Sequence, residues 1–516
     1  MWTFEWWPHA LLNGLNPFHP DIIWTPDGAN LTQGGFALPA AAIVLAPVTL
    51  VAGPLVAYNV ASVLMPALAA WFAYRLCRYL TGAFAPAFVG GLVFGFGTYM
   101  SAHLLGHLNL TSVFLAPAAV LLVLQRLDER ISQRRFIALM AVVFAVQVLL
   151  SAEILLMGLV VGAVALLLGY ATSDAGRRAR IARVVPSALA AGGIAIVLAS
   201  PYIYWVIDGL GDADSDAWRT FTELYPGDAL NPILPTQLTG LGHWWFEDTT
   251  AKFTNFTPSE AAAYVGIVLL GIFVVFAVTN WRRPAARVLA GVVVTCYVLS
   301  LGTELHVAGD GTGVWMPWSL LHTLPVFDHV ISARFWVYAV LAIAIATALW
   351  LAAPAPRPWL RWAVAGIGLA LLIPNVSSDF WDGRPTDPAF FKSDTYKRHL
   401  EEGETVLALP YARYGSSMLW QARADMDFKM VEGYVSPEYP PDYLHDPFFG
   451  QLISSRLSGL EDVAALREFL RRRKVTAVVI DAKQAGSWPA VLEGLGLDPV
   501  RTGGVIFYRV PADVGA

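Results

Sequence analysis

The side chain that points most directly to chemistry is Arg334, in the segment FDHVISARFW at 327–336. It directly precedes a long apolar run, and ionisable groups at membrane depth are costly and usually functional. A guanidinium can donate two parallel hydrogen bonds to a phosphate. We therefore predict that Arg334 binds a phosphate, with a structural salt bridge to Asp328 as the alternative.

Two histidines, His103 and His107, stand four residues apart and are followed by Asn109. On a helix this spacing places both imidazoles on one face, where they could supply two ligands to a divalent metal ion. Two histidines alone do not make a zinc site, so hydrogen-bonded histidines at the membrane surface are an alternative. Asn109 is predicted to bind substrate.

Acidic candidates occur early in the chain. Glu5 lies four residues before His9, so the two would share a helical face, and Asp27 follows in the turn-like PDG at 26–28. Glu5 and Asp27 are predicted to be catalytic and His9 to bind substrate. The alternative is an interfacial amphipathic helix followed by a turn.

A further carboxylate, Glu153, stands in SAEILL at 151–156, between two apolar runs. It either caps the following helix or faces a polar cavity, and we predict a catalytic role. The other carboxylates of the same side, such as Glu247, Asp248 and Glu260, are predicted to be solvated. Aromatic residues gather at the same side as interfacial belts do, and one of them, Tyr202, is a predicted substrate-binding residue.

The elements that position these residues are membrane helices. The 516 residues are 56% hydrophobic and 14% charged, with a mean hydropathy of +0.54, which is typical of a polytopic membrane protein. The net charge of -5 excludes the basic face of a nucleic-acid-binding protein. Cys77 and Cys296 stand apart in separate apolar runs, so neither indicates a disulfide or a metal cluster.

Arginines cluster in five islands between the apolar runs, at 75–78, 126–135, 177–183, 282–287 and 357–361. By the positive-inside rule these islands are cytoplasmic, and each stretch between them has room for two crossings of about 20 residues. Nine carboxylates in 206–262 support an outer location for that loop. An all-α membrane protein with roughly ten spans follows: 58–80, 83–100, 111–127, 136–150, 153–171, 186–205, 263–281, 288–303, 334–353 and 362–376.

Two regions outside these spans are expected to be extracytoplasmic. Residues 1–57 form a first loop, in which 36–56 is apolar but interrupted by prolines and fits a re-entrant or in-plane element; an eleventh span is the alternative. Residues 58–376 form the transmembrane domain, and 377–516 a small α/β domain with strands near 406–409, 475–480 and 504–510 and helices near 461–472 and 488–495.

Six segments of the chain together resemble the GT-C superfamily of membrane glycosyltransferases, in particular its YfhO-like bacterial branch. They are WWPHALLNGLNPF at 6–18, PDGANL at 26–31, GPLVAYNV at 53–60, GHLNL at 106–110, SAEILL at 151–156 and SARF at 332–335. The resemblance covers most of the membrane half and, more weakly, the domain after 377. It implies a GT-C-like fold in the bacterial inner membrane.

The resemblance also implies an activity: transfer of a sugar from a polyprenyl-phosphate donor to a cell-envelope glycan, lipid or protein acceptor on the outer face. A glycolipid transporter or flippase, or a non-catalytic scaffold of envelope assembly, are the alternatives. Superfamily members carry an acidic residue just beyond the first helix, a place that falls at or before Met1 here. Since the first 74 residues contain no Lys or Arg, we expect the reading frame to continue upstream into that helix, with a shortened paralogue as the alternative.

Overall fold

The computed structural model describes residues 1–35, 37–212, 215–255, 257–377, 385–436, 439–454 and 460–511. Its residues cluster into two compact units. The membrane unit, as we call it, comprises Ala61–Ile203 and Leu210–Asp382. The sheet unit comprises Met1–Val60, Tyr204–Gly209 and Gly383–Ala516.

Within the described ranges, seven helices are long and apolar enough to cross a membrane, judged by length and composition. Their lengths of 18 to 28 residues match the roughly 20 residues that a bilayer crossing needs. Each coincides with a span that the sequence predicts, which confirms the polytopic all-α architecture. They are Pro54–Thr81, Phe84–His103, Leu108–Leu127, Gln133–Leu150, Ala152–Thr172, Ala175–Leu198 and Ser332–Ala352.

The other three predicted spans are helices of less than full crossing length. Gly266–Thr279 has 14 residues, Pro284–Ser300 has 17 and Pro358–Ala370 has 13. Pro284 and Pro358 each stand in the first turn, where a proline costs no intrahelical hydrogen bond. The apolar stretch 36–56 contains the helix Pro39–Ala52, whose 14 residues are also short for a full crossing.

Shorter helices and a hairpin fill the segments between these elements. Strands β1 (Glu304–Val307) and β2 (Asp310–Trp315) pair antiparallel. Residues 204–209 of the helix Ser200–Asp212 belong to the sheet unit, and its two ends belong to the membrane unit. The remaining helices of the membrane unit are Ser215–Glu223, Gly242–Trp245, Glu247–Thr250 and Trp318–His322, and the 3-10 turns are Phe327–His329 and Ser332–Phe335.

The core of the membrane unit is built around the helix Ser332–Ala352. Of its apolar 18-residue stretch, 83% is buried. It packs against Phe84–Gly95, Gly266–Thr279 and Pro284–Ser300. Gly90 permits the first of these contacts, because a Cβ there would lie 2.7 Å from Cys77 Sγ and 3.1 Å from the carbonyl oxygen of Ala344. Small residues at such crossings let membrane helices approach closely. Arg334 therefore lies at the end of the most enclosed helix.

The C-terminal part of the sheet unit contains the small α/β sheet region that the sequence predicts. Strands β3 (Thr405–Leu409), β4 (Lys429–Met430), β5 (Ala477–Asp481), β6 (Pro499–Thr502) and β7 (Val505–Arg509) form one sheet in the order β4-β3-β5-β7-β6. The β3 pairings are parallel, and those of β7 are antiparallel. The longer helices of the sheet unit are Trp2–Leu12, Pro39–Ala52, Ser417–Arg423, Leu460–Arg472 and Trp488–Gly494, with shorter ones at Ala389–Lys392, Pro441–Leu444 and Phe449–Ser454.

An early segment of the chain joins this sheet unit through backbone hydrogen bonds beside β4. The amide of Met430 donates to the carbonyl oxygen of Ile22 at 2.8 Å, and the amide of Thr25 donates to that of Met430 at 3.1 Å. Trp24 continues the pattern by donating to Glu432 at 3.2 Å. The segment thereby satisfies the edge of the sheet, which would otherwise present unpaired amides and carbonyls.

Candidate functional site

Arg334 lies between two carboxylates in the membrane unit. Its Nε donates to Glu260 Oε2 at 3.0 Å and its Nη2 to Glu260 Oε1 at 2.6 Å. Its Nη1 donates to Glu153 Oε2 at 2.6 Å. The group has two formal negative charges and one positive charge, in a place where the arginine is only 9% exposed. Such a buried, charge-assisted network holds the guanidinium in one orientation.

Local structure explains why these three residues meet. Arg334 belongs to the 3-10 turn Ser332–Phe335, which begins the span Ser332–Ala352 and leads into its α-helical part, Trp336–Ala352. Glu153 is in the first turn of the helix Ala152–Thr172, and its Oε1 accepts from the Ile331 amide at 3.2 Å. Ser151 caps that helix, since its Oγ accepts from the amide of Ile154. The side chain of Glu153 is therefore directed to Arg334, and Ser151 rather than Glu153 caps the helix.

Glu260 corrects the prediction that the carboxylates of this side are solvated. It was expected to be solvated, yet it is 4% exposed and supplies both oxygens to Arg334. Burial by itself raises the pKa of Glu260, but Arg334 and His103 outweigh that effect and hold its pKa well below the usual range. Asp328, the predicted alternative partner of Arg334, instead lies 2.8 Å from His329 Nδ1.

Polar side chains of Tyr99, His103 and His107 lie close to this network. His103 Nε2 lies 3.8 Å from Glu260 Oε2, and His103 Nδ1 lies 2.8 Å from the carbonyl oxygen of Tyr99. Because a carbonyl can only accept, Nδ1 carries a proton and Nε2 is directed to the carboxylate. Burial lowers the pKa of His107 to about 4, with Glu260 opposing the shift, so His107 is neutral at pH 7.

Several buried polar atoms here have no hydrogen-bond partner among the residues that the structure describes. They are Tyr99 Oη, His103 Nε2, His107 Nδ1 and Asn109 Oδ1. Buried polar atoms are rarely left unpaired unless water or a ligand satisfies them. Tyr99 and the two histidines thus offer one hydroxyl and two imidazole nitrogens to a small polar group near Arg334, and Asn109 offers an amide oxygen in the same segment of the chain.

The two histidines are adjacent, although not on an unbroken helix. The helix ends at His103, and Gly106 adopts a positive φ of +131°. The His107 amide still donates to the His103 carbonyl oxygen at 2.9 Å, and the ring centroids are 6.2 Å apart. In the described ranges, no group of three or more His, Cys, Asp or Glu is arranged to hold a metal ion. The metal site at His103 and His107 stays a prediction.

The earlier candidates Glu5 and His9 lie in the sheet unit, on the helix Trp2–Leu12. Burial and the neighbouring carboxylate Asp425 raise the pKa of Glu5 to about 7. Burial lowers the pKa of His9, with Asp427 and Asp425 opposing. Glu5 can thus exchange a proton near neutral pH, as a general acid or base must.

Asp27, also in the sheet unit, has a structural partner. Its Oδ2 lies 3.4 Å from Arg473 Nη1, and the Arg473 guanidinium stacks 3.7 Å above the ring of Tyr443. Tyr443 in turn donates to the carbonyl oxygen of Thr25 at 2.6 Å. These contacts fix the turn that carries Asp27.

The predicted substrate-binding residue Tyr202 lies in the membrane unit, on the helix Ser200–Asp212, and is 4% exposed. Its role stays a prediction.

Comparison of the sequence with protein families gives one match. Residues 36–373, well over half of the chain, match the family described as "Domain of unknown function (DUF6311)". The chain belongs to this DUF6311 family. The matched DUF6311 region contains Glu153, Glu260 and Arg334, together with the polar residues 99–109. Curated protein sequences provide no match to this DUF6311 chain.

Solved structures resemble this DUF6311 protein in fold. The oligosaccharyltransferase AglB from Archaeoglobus fulgidus, in complex with an inhibitory peptide and a dolichol-phosphate, superposes with a TM-score of 0.52 at 12% identity, covering 99% of this chain and 71% of AglB. ArnT from Cupriavidus metallidurans bound to undecaprenyl phosphate gives 0.53 at 12% identity, covering 100% and 94%. Its apo form gives 0.52 at 11% identity with the same coverage. The DUF6311 chain therefore has a GT-C-like fold.

Proposed function

We propose that this protein is a membrane glycosyltransferase that moves a sugar from a polyprenyl-phosphate donor to a cell-envelope acceptor on the outer face of the bacterial inner membrane. The proposal includes the predicted membership of the YfhO-like branch of the GT-C superfamily. The observation that carries it is the buried guanidinium of Arg334, close to buried polar atoms of Tyr99, His103 and His107 that have no hydrogen-bond partner among the described residues. The guanidinium suits a phosphate, and the hydroxyl and imidazole groups suit the hydroxyls of a sugar.

Two solved structures of the same fold support the donor class. AglB is described in complex with a dolichol-phosphate, and ArnT bound to undecaprenyl phosphate. Both ligands join one phosphate to a long polyprenyl chain. A GT-C-like fold with seven apolar helices of crossing length provides hydrophobic surface for such a chain at the level of the membrane.

The proposed reaction needs two kinds of assistance. The bond between the sugar carbon C1 and the phosphate oxygen breaks, a bond forms between C1 and the acceptor oxygen, and the acceptor proton passes to a carboxylate. The phosphate leaves with its negative charge, which a cation stabilises. C1 passes through an oxocarbenium-like state, so nearby negative charge also helps.

We assign these roles to the predicted residues. Arg334 binds the donor phosphate, with Glu153 as a supporting acid. Glu5 or Asp27 accepts the acceptor proton, and the raised pKa of Glu5, about 7, favours Glu5. Asp27 is held by Arg473, which favours a structural role for it.

Further residues are proposed to contact the donor or the acceptor. His9, Asn109 and Tyr202 bind substrate, and His103 and His107 contact the phosphate directly or through a divalent metal ion. If a metal ion binds, the neutral imidazole of His107 is in the protonation state that a ligand requires.

The test uses the purified full-length chain in nanodiscs. We expect undecaprenyl phosphate to bind and undecaprenol, which lacks the phosphate, to bind far more weakly. With polyprenyl-phosphate-linked sugars and envelope glycolipid as acceptor, free polyprenyl phosphate should be released. Equal binding of the two lipids would contradict the proposal, and phosphate-dependent binding without release would favour a transporter.

A further inference from the structure

Glu153 and Glu260 hold Arg334 in different ways. Glu260 accepts two hydrogen bonds, from Nε and Nη2, whereas Glu153 accepts one, from Nη1. A bidentate carboxylate is bound more firmly than one held by a single donor. Of these two partners, Glu153 is therefore the easier one to displace.

Accessibility gives the same ranking. The side chain of Glu153 is 17% exposed, whereas that of Glu260 is 3% exposed. An incoming anion can therefore reach the contact between Arg334 and Glu153 before it reaches the contact between Arg334 and Glu260. Arg334 also has five N–H donors and uses three of them on the two carboxylates, so it has donors left for an approaching ligand.

The charge of the network makes displacement necessary. Two carboxylates on one guanidinium leave a net negative charge in a buried place. A phosphate added to this arrangement would lie beside two like charges at short range, and such repulsion is strong where water is excluded. Phosphate binding to Arg334 therefore requires that one carboxylate move away.

The position of Glu153 lowers the cost of its release. It lies in the first turn of the 21-residue helix Ala152–Thr172, where the helix dipole favours negative charge. Its second oxygen, Oε1, accepts from the amide of Ile331. A Glu153 carboxylate that leaves Arg334 thus keeps a hydrogen-bond donor and a favourable field.

We propose that Glu153 occupies the phosphate position on Arg334 in the unliganded protein, and that the phosphate of a polyprenyl-linked donor displaces Glu153 while Glu260 stays bound. This rests on the proposed function, because it takes the ligand of Arg334 to be a lipid phosphate. Glu260 positions the guanidinium, and Glu153 keeps the site closed to weakly binding anions until the donor arrives.

Matched glutamine variants of the full-length chain test this proposal. Glu153→Gln removes the competing charge with little change of shape, so undecaprenyl phosphate should bind more tightly than to the parent, by about tenfold for 1.4 kcal/mol of lost competition. Glu260→Gln loosens the positioning of Arg334 and should weaken binding. Undecaprenol is the control lipid, and neither variant should change its binding.

A second variant, Glu153→Asp, guards against a folding defect in the first. It keeps the charge but shortens the side chain by one methylene, so its contact with Arg334 should weaken and phosphate binding should again become tighter. Thermal unfolding in the same nanodiscs confirms that each variant is folded.

Three outcomes are distinguishable. Tighter binding by the Glu153 variants with weaker binding by Glu260→Gln supports the displacement. If the parent prefers undecaprenyl phosphate over undecaprenol but the folded Glu153 variants bind it no more tightly, the displacement is wrong and the proposed function survives. If neither the parent nor the Glu153 variants prefer the phosphate, the proposed function fails and this inference fails with it.

Discussion

Arg334 and Glu260, 74 residues apart in the chain, are joined by two parallel hydrogen bonds of 3.0 and 2.6 Å. Both side chains are buried, with exposed fractions of 10% and 3%. A buried pair of this geometry is costly to break from one side, because the remaining charge is left without a partner. The contact therefore combines a structural role with a functional one, and variants must separate the two.

Arg334→Lys separates them best. Lysine keeps the positive charge between Glu153 and Glu260 but lacks the planar fork of donors. We expect Arg334→Lys to remain folded and to bind undecaprenyl phosphate more weakly than the parent, and Arg334→Ala to bind it more weakly still. The measurement is lipid binding in nanodiscs, with thermal unfolding alongside.

Arg334→Ala should also lower the free energy of unfolding by about 3–5 kcal/mol, the usual cost of removing one partner of a buried ion pair. A loss of lipid binding in that variant alone would thus be ambiguous. Parent-like binding of undecaprenyl phosphate by folded Arg334→Lys would show that the phosphate does not use the guanidinium fork.

Glu260→Gln should lower stability in a pH-dependent way. The pKa of Glu260 is held well below its usual range, so its carboxylate contributes stability above its unfolded pKa of about 4.3. That contribution is lost as the pH falls through the lower folded pKa. The difference in melting temperature between parent and variant should therefore be large at pH 7 and shrink below pH 4.

The matched control is Glu247→Gln, which changes a carboxylate that is exposed in the same unit. It should shift the melting temperature little at any pH, as surface substitutions usually do. Equal shifts in the two variants at pH 7 would contradict a special role for Glu260.

The sequence was sufficient for the helices and for two of the three charged residues of the site. Apolar runs bounded by arginines identified the seven long helices, because length and hydropathy are local properties. Arg334 and Glu153 stood out since each adjoins such a run. The short strand β4 (Lys429–Met430) had no detectable pattern, because two residues show no alternation.

Glu260 was missed for a physical reason. Its neighbours in TPSEAAAY at 257–264 resemble an ordinary loop, and nothing local distinguishes it from Glu247 or Asp248. Only the fold brings it to Arg334. Arg334 itself was a signal that a carboxylate such as Glu260 must lie nearby, because a buried guanidinium requires a carboxylate partner. Asp328 was only the carboxylate nearest to Arg334 in sequence.

The orientation of the chain is a separate prediction from its charge pattern. The arginine islands should face the cytoplasm, whereas residues 206–262 and the region after 377 should face outward. Single cysteines at the exposed positions Asp248, Glu402 and Arg178 can be probed with a membrane-impermeant maleimide in intact cells. We expect labelling at 248 and 402, and labelling at 178 only after the membrane is permeabilised.

The native cysteines, Cys77 and Cys296, are both buried and provide the background level in the parent chain. Labelling of intact cells at 178 but not at 248 would reverse the predicted topology. It would also move the proposed reaction to the cytoplasmic face.

Glu5 should make stability depend on pH in the direction opposite to Glu260. Burial and Asp425 raise its pKa from 4.5 to about 7, so the folded protein favours the protonated form. The stability that this provides is complete below pH 4.5 and is lost as the pH rises through 7, a change of at most about 3 kcal/mol. Glu5→Gln, which mimics the protonated form, should match the parent in melting temperature at pH 4.5 and exceed it at pH 8. Glu402→Gln, an exposed change in the same unit, should do neither.

If Glu5 is also the proton acceptor, Glu5→Gln should abolish release of polyprenyl phosphate at every pH while undecaprenyl phosphate still binds. If Glu5→Gln is more stable at pH 8 and fully active, Glu5 is a buried structural acid. The proton acceptor must then be another carboxylate.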